Sequence, residues 1–341
     1  MVTMRDVAER AGVSITTVSH VVNNTRVVSP DTRHRVEEAM QTLGYQPNVL
    51  ARSLRQGVTH TIGIILPDSA NPYFAEVVRG IEDTSFAQGY SVILCNSDND
   101  LEKEHHYTNV LVEKQVDGII FVAAGLSADN IHKLQARRVP LVLVDRHVPD
   151  VQVDKVLADN QRGGWLATRH LIDLKHRSIA CIAGPTGVRS SSERVDGYRQ
   201  ALESAGILYD PKLVVEGDFQ YQSGYSAAKK LFHHQPPPTA IFASNDLMAI
   251  GAYRFAHEKN LRIPEQLSIV GFDDIRLAAY TNPPLTTIRQ SKHEMGAQAA
   301  KLLLERIAQQ DLEPRQEILD TELVIRGSTA AVLQPAGEMN S

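Results

Sequence analysis

"MRDVAERAGVSITTVSHVVNN", Met4 to Asn24, decides the reading of the first sixty residues. Met4, Val7, Ala8 and Ala11 recur at i, i+3, i+4 and i+7, which predicts an amphipathic helix with Thr3 as its cap and Gly12 as its stop. Ser14 is placed to cap a second run from Ile15 to Val22. Two short helices joined at "AGVS" describe a helix-turn-helix, because Ala11 is small enough for close helix contact and Gly12 can take the tight bend. A third helix is expected from Pro30, an N1 proline behind the cap Ser29, to a glycine stop at Gly44. Val36, Ala39, Met40 and Leu43 would close its small core. Near the start of the second helix, Ile15, Thr16, Thr17, Ser19 and His20 are short or polar groups able to enter a major groove and touch base edges and phosphates. A merely solvated face would more usually carry Lys and Glu.

Charge distribution is compatible with such a role. The 341-residue chain carries a net −5, yet residues 1–60 hold seven Arg against five acids. That is 7 − 5 = +2 for the head and −7 for the rest, a modest asymmetry compatible with a DNA-binding head on an acidic body. A hydrophobic content of 43% is ample for packed cores in two or three domains. No apolar run approaches membrane-spanning length, and "MVTMRDVAER" lacks a charged-then-apolar leader, so a cytoplasmic protein without membrane association is expected. The two cysteines, Cys95 and Cys181, lie in separate apolar runs and read as buried reduced thiols.

From "MRDVAERAGVSITTVSHVVNNTRVVSPDTRHRVEEAMQTLGYQPNVLARSLR" the chain resembles the DNA-binding head of the lac repressor and galactose repressor family of bacterial transcription regulators, nearest its purine and ribose branch. The helix-turn-helix, the third helix and the P-x-x-x-A-R-S-L segment occur in that family's order and spacing. The resemblance implies that Ile15, Thr16 and His20 read bases while Thr17, Ser19, Asn23 and Arg26 lie nearer the phosphates; Thr3, Ser14 and Arg55 complete the candidate DNA-binding set. It also identifies "PNVLARSLR", Pro47 to Arg55, as a hinge helix. A nine-residue helix is marginal alone in water, since nucleation costs more than a few hydrogen bonds return. Two copies meeting on DNA could pack on each other and drive Leu54 between base pairs in the minor groove, making folding and binding one event.

From Thr59 the pattern changes to short apolar strands between amphipathic helices: "TIGIIL", "SVILC", "DGIIFV", "PLVLVD", "SIACIAG", "TAIFAS" and "LSIVGFD". Near-continuous apolar strands of this kind predict parallel sheets covered on both faces, an α/β body. A faint repeat at an offset of 117 residues pairs Ile62 with Ile179, Ile65 with Ile182, Glu76 with Glu193, Val78 with Val195, Gly80 with Gly197 and Gly89 with Gly206. Any two βα units look somewhat alike; the alternative is two similar open sheets facing each other across a cleft at their strand C-termini. Asn71, Tyr73, Phe74, Asp145, Arg146, Arg194, Phe219, Asn245, Asp273 and Gln290 sit after those strands. Carboxylates, amides and guanidiniums mixed with aromatics suit a polyhydroxylated ring, polar groups clamping hydroxyls and flat rings covering apolar faces.

The resemblance extends over about residues 60 to 330 and implies the periplasmic sugar-binding fold, with the chain passing between lobes three times. It places Asn71, Phe74, Asp145, Arg146, Arg194, Phe219, Asn245, Asp273 and Gln290 at the effector cleft. Where purine-responsive members have an aromatic after the aspartate, Arg146 stands here, and Val188 replaces an arginine that grips the purine. A sugar effector, ribose-like or related, is therefore expected, with a purine corepressor as the alternative.

The expected organisation is an α/β chain with a three-helix head at 1–46, a hinge at 47–58, and a two-lobed, periplasmic-binding-protein-like body of doubly wound parallel sheets at 59–330. The first lobe would comprise about 59–160 and 291–321, the second about 161–290 and 322–330, and a tail 331–341 would follow. The partners expected are operator DNA, a small-molecule effector and a second copy of the chain. An enzyme is disfavoured: no G-x-S-x-G elbow, no phosphate loop and no H-E-x-x-H or cysteine-pair metal spacing occurs, and neither a cofactor nor a metal is expected. A sugar-transport binding protein would use the same body but would not need the DNA-binding head.

Overall fold

The computed structural model describes residues 2–23, 25–46, 58–123, 128–146, 148 and 151–332. The expected hinge helix, with Leu54 and Arg55, lies outside the described residues. The chain divides into a head reaching to Thr59 and a body beginning at His60.

The head contains α1 (Met4–Ala11), α2 (Ile15–Asn23) and α3 (Pro30–Leu43). Thr3 and Asp6 form a reciprocal capping box, the Thr3 side chain accepting from the Asp6 N–H while the Asp6 carboxylate accepts from the Thr3 N–H. Gly12 and Gly44 end their helices at φ 63° and 62°, the left-handed region in which a Cβ would be strained. Val7, Ala8, Ala11, Val18, Val21, Val36 and Ala39 form the core, with Met40 and Leu43 partly buried against it. Arg35 on α3 ties the turn down, donating from Nε and Nη2 to the Ala11 carbonyl at 3.1 and 2.6 Å.

In the body, β1 (Thr61–Leu66), β2 (Ser91–Asn96), β3 (Gly118–Val122), β4 (Leu141–Val144), β5 (Asp154–Ala158) and β11 (Gln316–Leu319) form one sheet in the order β11-β5-β4-β3-β1-β2. The second has β6 (Ile179–Ala183), β7 (Val214–Glu216), β8 (Ala240–Ala243), β9 (Ser268–Asp273), β10 (Thr286–Gln290) and β12 (Thr321–Val324) in the order β12-β10-β9-β8-β6-β7. Pairing is parallel throughout except for β12, which runs antiparallel to β10. The chain passes between the sheets after β5, after β10 and after β11, three crossings in all.

Covering both faces explains the continuous apolar runs of β1, β3, β4, β6, β8 and β9. The edge strand β2 departs from the expectation, Leu94 being exposed and Val92 and Ile93 only partly buried, because an edge strand has a neighbour on one side alone. Ile62, Ile64, Leu66, Val142 and Val144 face α4 (Pro72–Ala87) and α11 (Lys292–Ala308), whereas their neighbours Ile65, Leu141 and Leu143 face α5 (Leu101–Glu113) and α6 (Ala128–Ala136). In the second lobe Ala180, Ile182 and Ile241 pack beneath α9 (Tyr221–Leu231) and α10 (Asp246–Glu258). Cys181, Phe242 and Phe272 pack beneath α7 (Asn160–Asp173) and α8 (Arg189–Ser204).

The 117-residue repeat has a physical counterpart in helix packing. A Cβ on Gly80 of α4 would lie 2.0 Å from the His293 carbonyl oxygen of α11, and one on Gly197 of α8 would lie 2.0 Å from the Gln161 carbonyl oxygen of α7. Both lobes thus use glycine at the same repeat position to bring two helix backbones together. Strand β5, absent from the apolar runs read in the sequence, begins with two charged residues: Asp154 is fully buried and satisfied by Arg306 Nε at 2.7 Å and the Arg315 N–H at 2.8 Å.

Candidate effector cleft and DNA-binding face

In both sheets the strand order reverses about the first strand, β1 between β2 and β3, and β6 between β7 and β8. Such switch points open a crevice beyond the strand C-termini. On the first lobe Asn71 caps α4, its Oδ1 accepting from the Tyr73 N–H at 3.0 Å. Tyr73 is buried and its hydroxyl donates to Asp145 Oδ2 at 3.1 Å; Phe74 meets the Tyr73 ring edge-on at 5.1 Å. Asp145 follows β4 at φ 51°.

Arg194 is the centre of the second-lobe side. It is 4% exposed; Nε donates to Asn160 Oδ1 at 2.9 Å and Nη1 to the Ser244 carbonyl at 2.6 Å. Its guanidinium lies 3.8 Å over the Phe272 ring and 3.7 Å from Asp273 Oδ1. Gln290 Nε2 donates to the same Asp273 oxygen at 2.7 Å, and Lys292 Nζ donates to the Asp273 and Asp274 carbonyls at 2.5 and 2.9 Å. Asn245 caps α10 through Oδ1 and donates from Nδ2 to the Phe219 carbonyl at 2.9 Å, which holds Phe219 at φ 66°. The Phe219 ring covers Gly184, where a Cβ would lie only 2.1 Å from it. Asp145, Phe219 and Asp273 all take positive φ, Asp273 at 107°, a backbone cost that concentrates at sites where side-chain aim matters.

The electrostatics join the two sides. Burial drives the Asp273 carboxyl up to about 6; Arg194, Lys292 and the Gln290 hydrogen bond oppose the rise and Asp145 adds to it. Burial also raises Asp145, with Arg194 opposing, so two carboxylates of reduced acidity share one guanidinium. Tyr73 is raised well above its usual value, by burial first and then by the charges of Asp145 and Asp273. Arg146 is lowered by burial, its Nε has no partner among the described residues, and the Glu104 charge acts in the opposite direction. The cleft can therefore accept hydrogen bonds at two carboxylates and donate them from the Arg194 guanidinium.

The structure brings Tyr73, Asp145, Arg194, Asp273 and Gln290 into one interacting group, whereas Asn71 and Asn245 spend their side-chain oxygens as helix caps. Asn160 was missed: buried, it accepts from Arg194 and donates from Nδ2 to Glu193 Oε2 at 3.4 Å. Recognising "DKVLADN" as a strand would have placed it at a strand end. Lys292 was missed as well, because nothing local marks a lysine at a helix start as a buried link between lobes.

On the head, Ile15 and Thr16 are exposed at the start of α2. Ser14 caps α2 by accepting from the Thr17 N–H at 3.0 Å, and its hydroxyl lies 2.9 Å from that of Thr17. Asn23 Nδ2 donates to the Ser19 carbonyl at 2.7 Å, His20 Nδ1 lies 2.8 Å from the Thr25 hydroxyl, and Arg26 is exposed.

A helix-turn-helix head carried by a two-lobed α/β body with a polar cleft defines a ligand-responsive, DNA-binding regulator rather than an enzyme. More particularly, the chain belongs to the LacI family of bacterial regulatory proteins. Residues 3–48 match the model of bacterial regulatory proteins of the lacI family, and residues 59–326 match that of periplasmic binding proteins and the sugar binding domain of the LacI family. It is 41% identical over 331 residues to the HTH-type transcriptional repressor PurR of Aliivibrio fischeri (strain MJ11), covering 96% of this chain and 98% of that one. The lac repressor dimer bound to operator and the anti-inducer ONPF aligns with a TM-score of 0.87 at 31% identity, over 97% of this chain and 99% of that chain. A LacI family regulator from Enterococcus faecium with bound ribose aligns with a TM-score of 0.73 at 35% identity, over 80% of this chain and 100% of that chain. No helix among the described residues is long and apolar enough to cross a membrane.

Proposed function

We propose that this regulator acts as a cytoplasmic repressor, two copies binding a palindromic operator, and that a sugar held between the lobes sets its affinity for DNA. Each head offers one recognition helix, so a two-fold site calls for a two-fold protein. Ile15, Thr16 and His20 would face bases, Thr17, Ser19, Asn23 and Arg26 the phosphates, and Leu54 the centre of the site. The observation that carries the sugar reading is the Asp145–Arg194–Asp273 group: two carboxylates around one guanidinium offer paired acceptors and donors to vicinal hydroxyls. Tyr73, Phe219 and Phe74 supply apolar faces for the ring. Closing the cleft on a ligand favours whichever arrangement of the lobes binds it better, and so shifts the balance between DNA-competent and incompetent states.

A purine corepressor is the second reading, favoured by the 41% identity to repressors named PurR. Against it stand Arg146 beside Asp145, and Val188 at the N-cap of α8, where no side-chain hydrogen bond is made. Calorimetry with ribose, other pentoses, hexoses, phosphorylated sugars, hypoxanthine and guanine separates the two. Heat from sugars alone supports the first reading, and heat from the purines alone overturns it.

A further inference from the structure

Most polar groups on the reading face of α2 are paired within the helix or its cap: Thr17 with Ser14, and Asn23 with Ser19. His20 differs, because its partner lies beyond the helix. The Thr25 N–H donates to the His20 carbonyl at 3.3 Å while the Thr25 hydroxyl lies 2.8 Å from His20 Nδ1, so two bonds fold residue 25 back against residue 20. Nε2 has no partner among the described residues, and both side chains keep access to solvent. In a neutral imidazole one nitrogen donates and the other accepts, and the partner of one decides the role of the other.

We infer that Thr25 is a positioning residue for base reading, its hydroxyl donating to His20 Nδ1 so that the proton resides on Nε2 and that N–H is aimed at purine acceptors in the major groove. This rests on the operator-binding reading above and names one part of its specificity. Guanine presents N7 and O6 as acceptors there and adenine presents N7, whereas the exocyclic amines of adenine and cytosine are donors that an Nε2–H cannot satisfy. Without the Thr25 hydroxyl the ring could rotate and exchange tautomers, and the same histidine would accept from those amines as readily as donate. Selectivity at one base pair would then relax while affinity for the backbone stayed the same.

The test uses the full chain and duplexes selected by it from a random pool, with each base pair then varied singly and affinities read by fluorescence anisotropy. Thr25→Val keeps the β-branched shape and removes only the hydroxyl; Thr25→Ser keeps the hydroxyl. His20→Ala is expected to flatten discrimination at one base pair per half-site. Thr25→Val should flatten that same pair by about threefold to tenfold, the value of one hydrogen bond, and leave the salt dependence unchanged. Thr25→Ser should retain the wild-type preference, and the double variant should be no flatter than His20→Ala. Replacing the purine there by its 7-deaza analogue should cost the wild type more than it costs His20→Ala. Equal weakening of Thr25→Val on every sequence together with a shallower salt slope would make Thr25 a phosphate contact and overturn the inference. So would unchanged selectivity, or further flattening in the His20→Ala background. A wild-type chain with no preference for any palindrome would instead remove the operator-binding reading itself.

Discussion

Arg194→Met is the most demanding perturbation of the cleft, since methionine retains much of the aliphatic bulk and deletes the charge. The residue is 4% exposed and its guanidinium makes two short hydrogen bonds, to Asn160 and to the Ser244 carbonyl, while standing 3.7 Å from Asp273. Each hydrogen bond to a charged donor contributes about 1.5–3 kcal/mol, and stranding one member of a buried pair costs about 3–5 kcal/mol. These describe one group and overlap, so the expected loss is about 3–5 kcal/mol rather than their sum. Stability also acquires a pH signature. Burial already holds the Asp273 carboxyl up at about 6, above its unfolded value, and losing Arg194 raises it further. A folded carboxyl that binds its proton more tightly than the unfolded one gains relative stability as pH falls through the folded value towards the unfolded one. The deficit of the variant should therefore be larger at pH 7.5 than at pH 5.5. Urea unfolding of effector-free wild type and variant at both pH values measures it, and effector calorimetry should show binding lost. A variant within about 1 kcal/mol of wild type at pH 7.5, or a deficit identical at the two pH values, would refute the account of Arg194 as the buried counter-charge of the cleft.

Effector affinity should be flat above neutral pH and fall by up to about tenfold per unit below 6, as Asp273 protonates and loses acceptor capacity. Asp273→Asn should flatten that profile, and a persisting slope would assign it elsewhere. Gly80→Ala should lower stability by about 1–3 kcal/mol despite a helix-propensity gain of roughly 1 kcal/mol, because the obstacle is the His293 backbone carbonyl and not a movable side chain. A rise in Tm would contradict the close approach of α4 and α11. Leu54→Ala should weaken operator binding and leave effector binding intact, measured by anisotropy and calorimetry on one preparation; loss of both would make the segment structural.

How far the sequence could be read depended on the range of the forces involved. The head was legible because its signals are local: Thr3 and Ser29 cap helices begun within three residues, Pro30 opens α3, and Gly12 and Gly44 end helices at positive φ. Strands of the body were legible where burial on both faces made them uniformly apolar. Strand β5 was not, because Asp154 and Lys155 look like loop residues until Arg306 and Arg315 arrive from far along the chain. In the cleft, strand-end position pointed to Asp145, Arg194 and Asp273 but could not say which of them touch.

The sequence by itself determined the three-helix head and the alternation of strands and helices, since periodicity, caps and turn residues act over one or two helical turns; the class of protein came from the resemblance of its motifs, in order and spacing, to a known family. Only the tertiary structure decided that Tyr73 donates to Asp145, that Arg194 is anchored by Asn160 and Ser244, and that Asp273 holds its proton to about 6. Proton affinity and side-chain aim depend on how much water is removed and which charges replace it, and here those charges come from different strands and from both lobes.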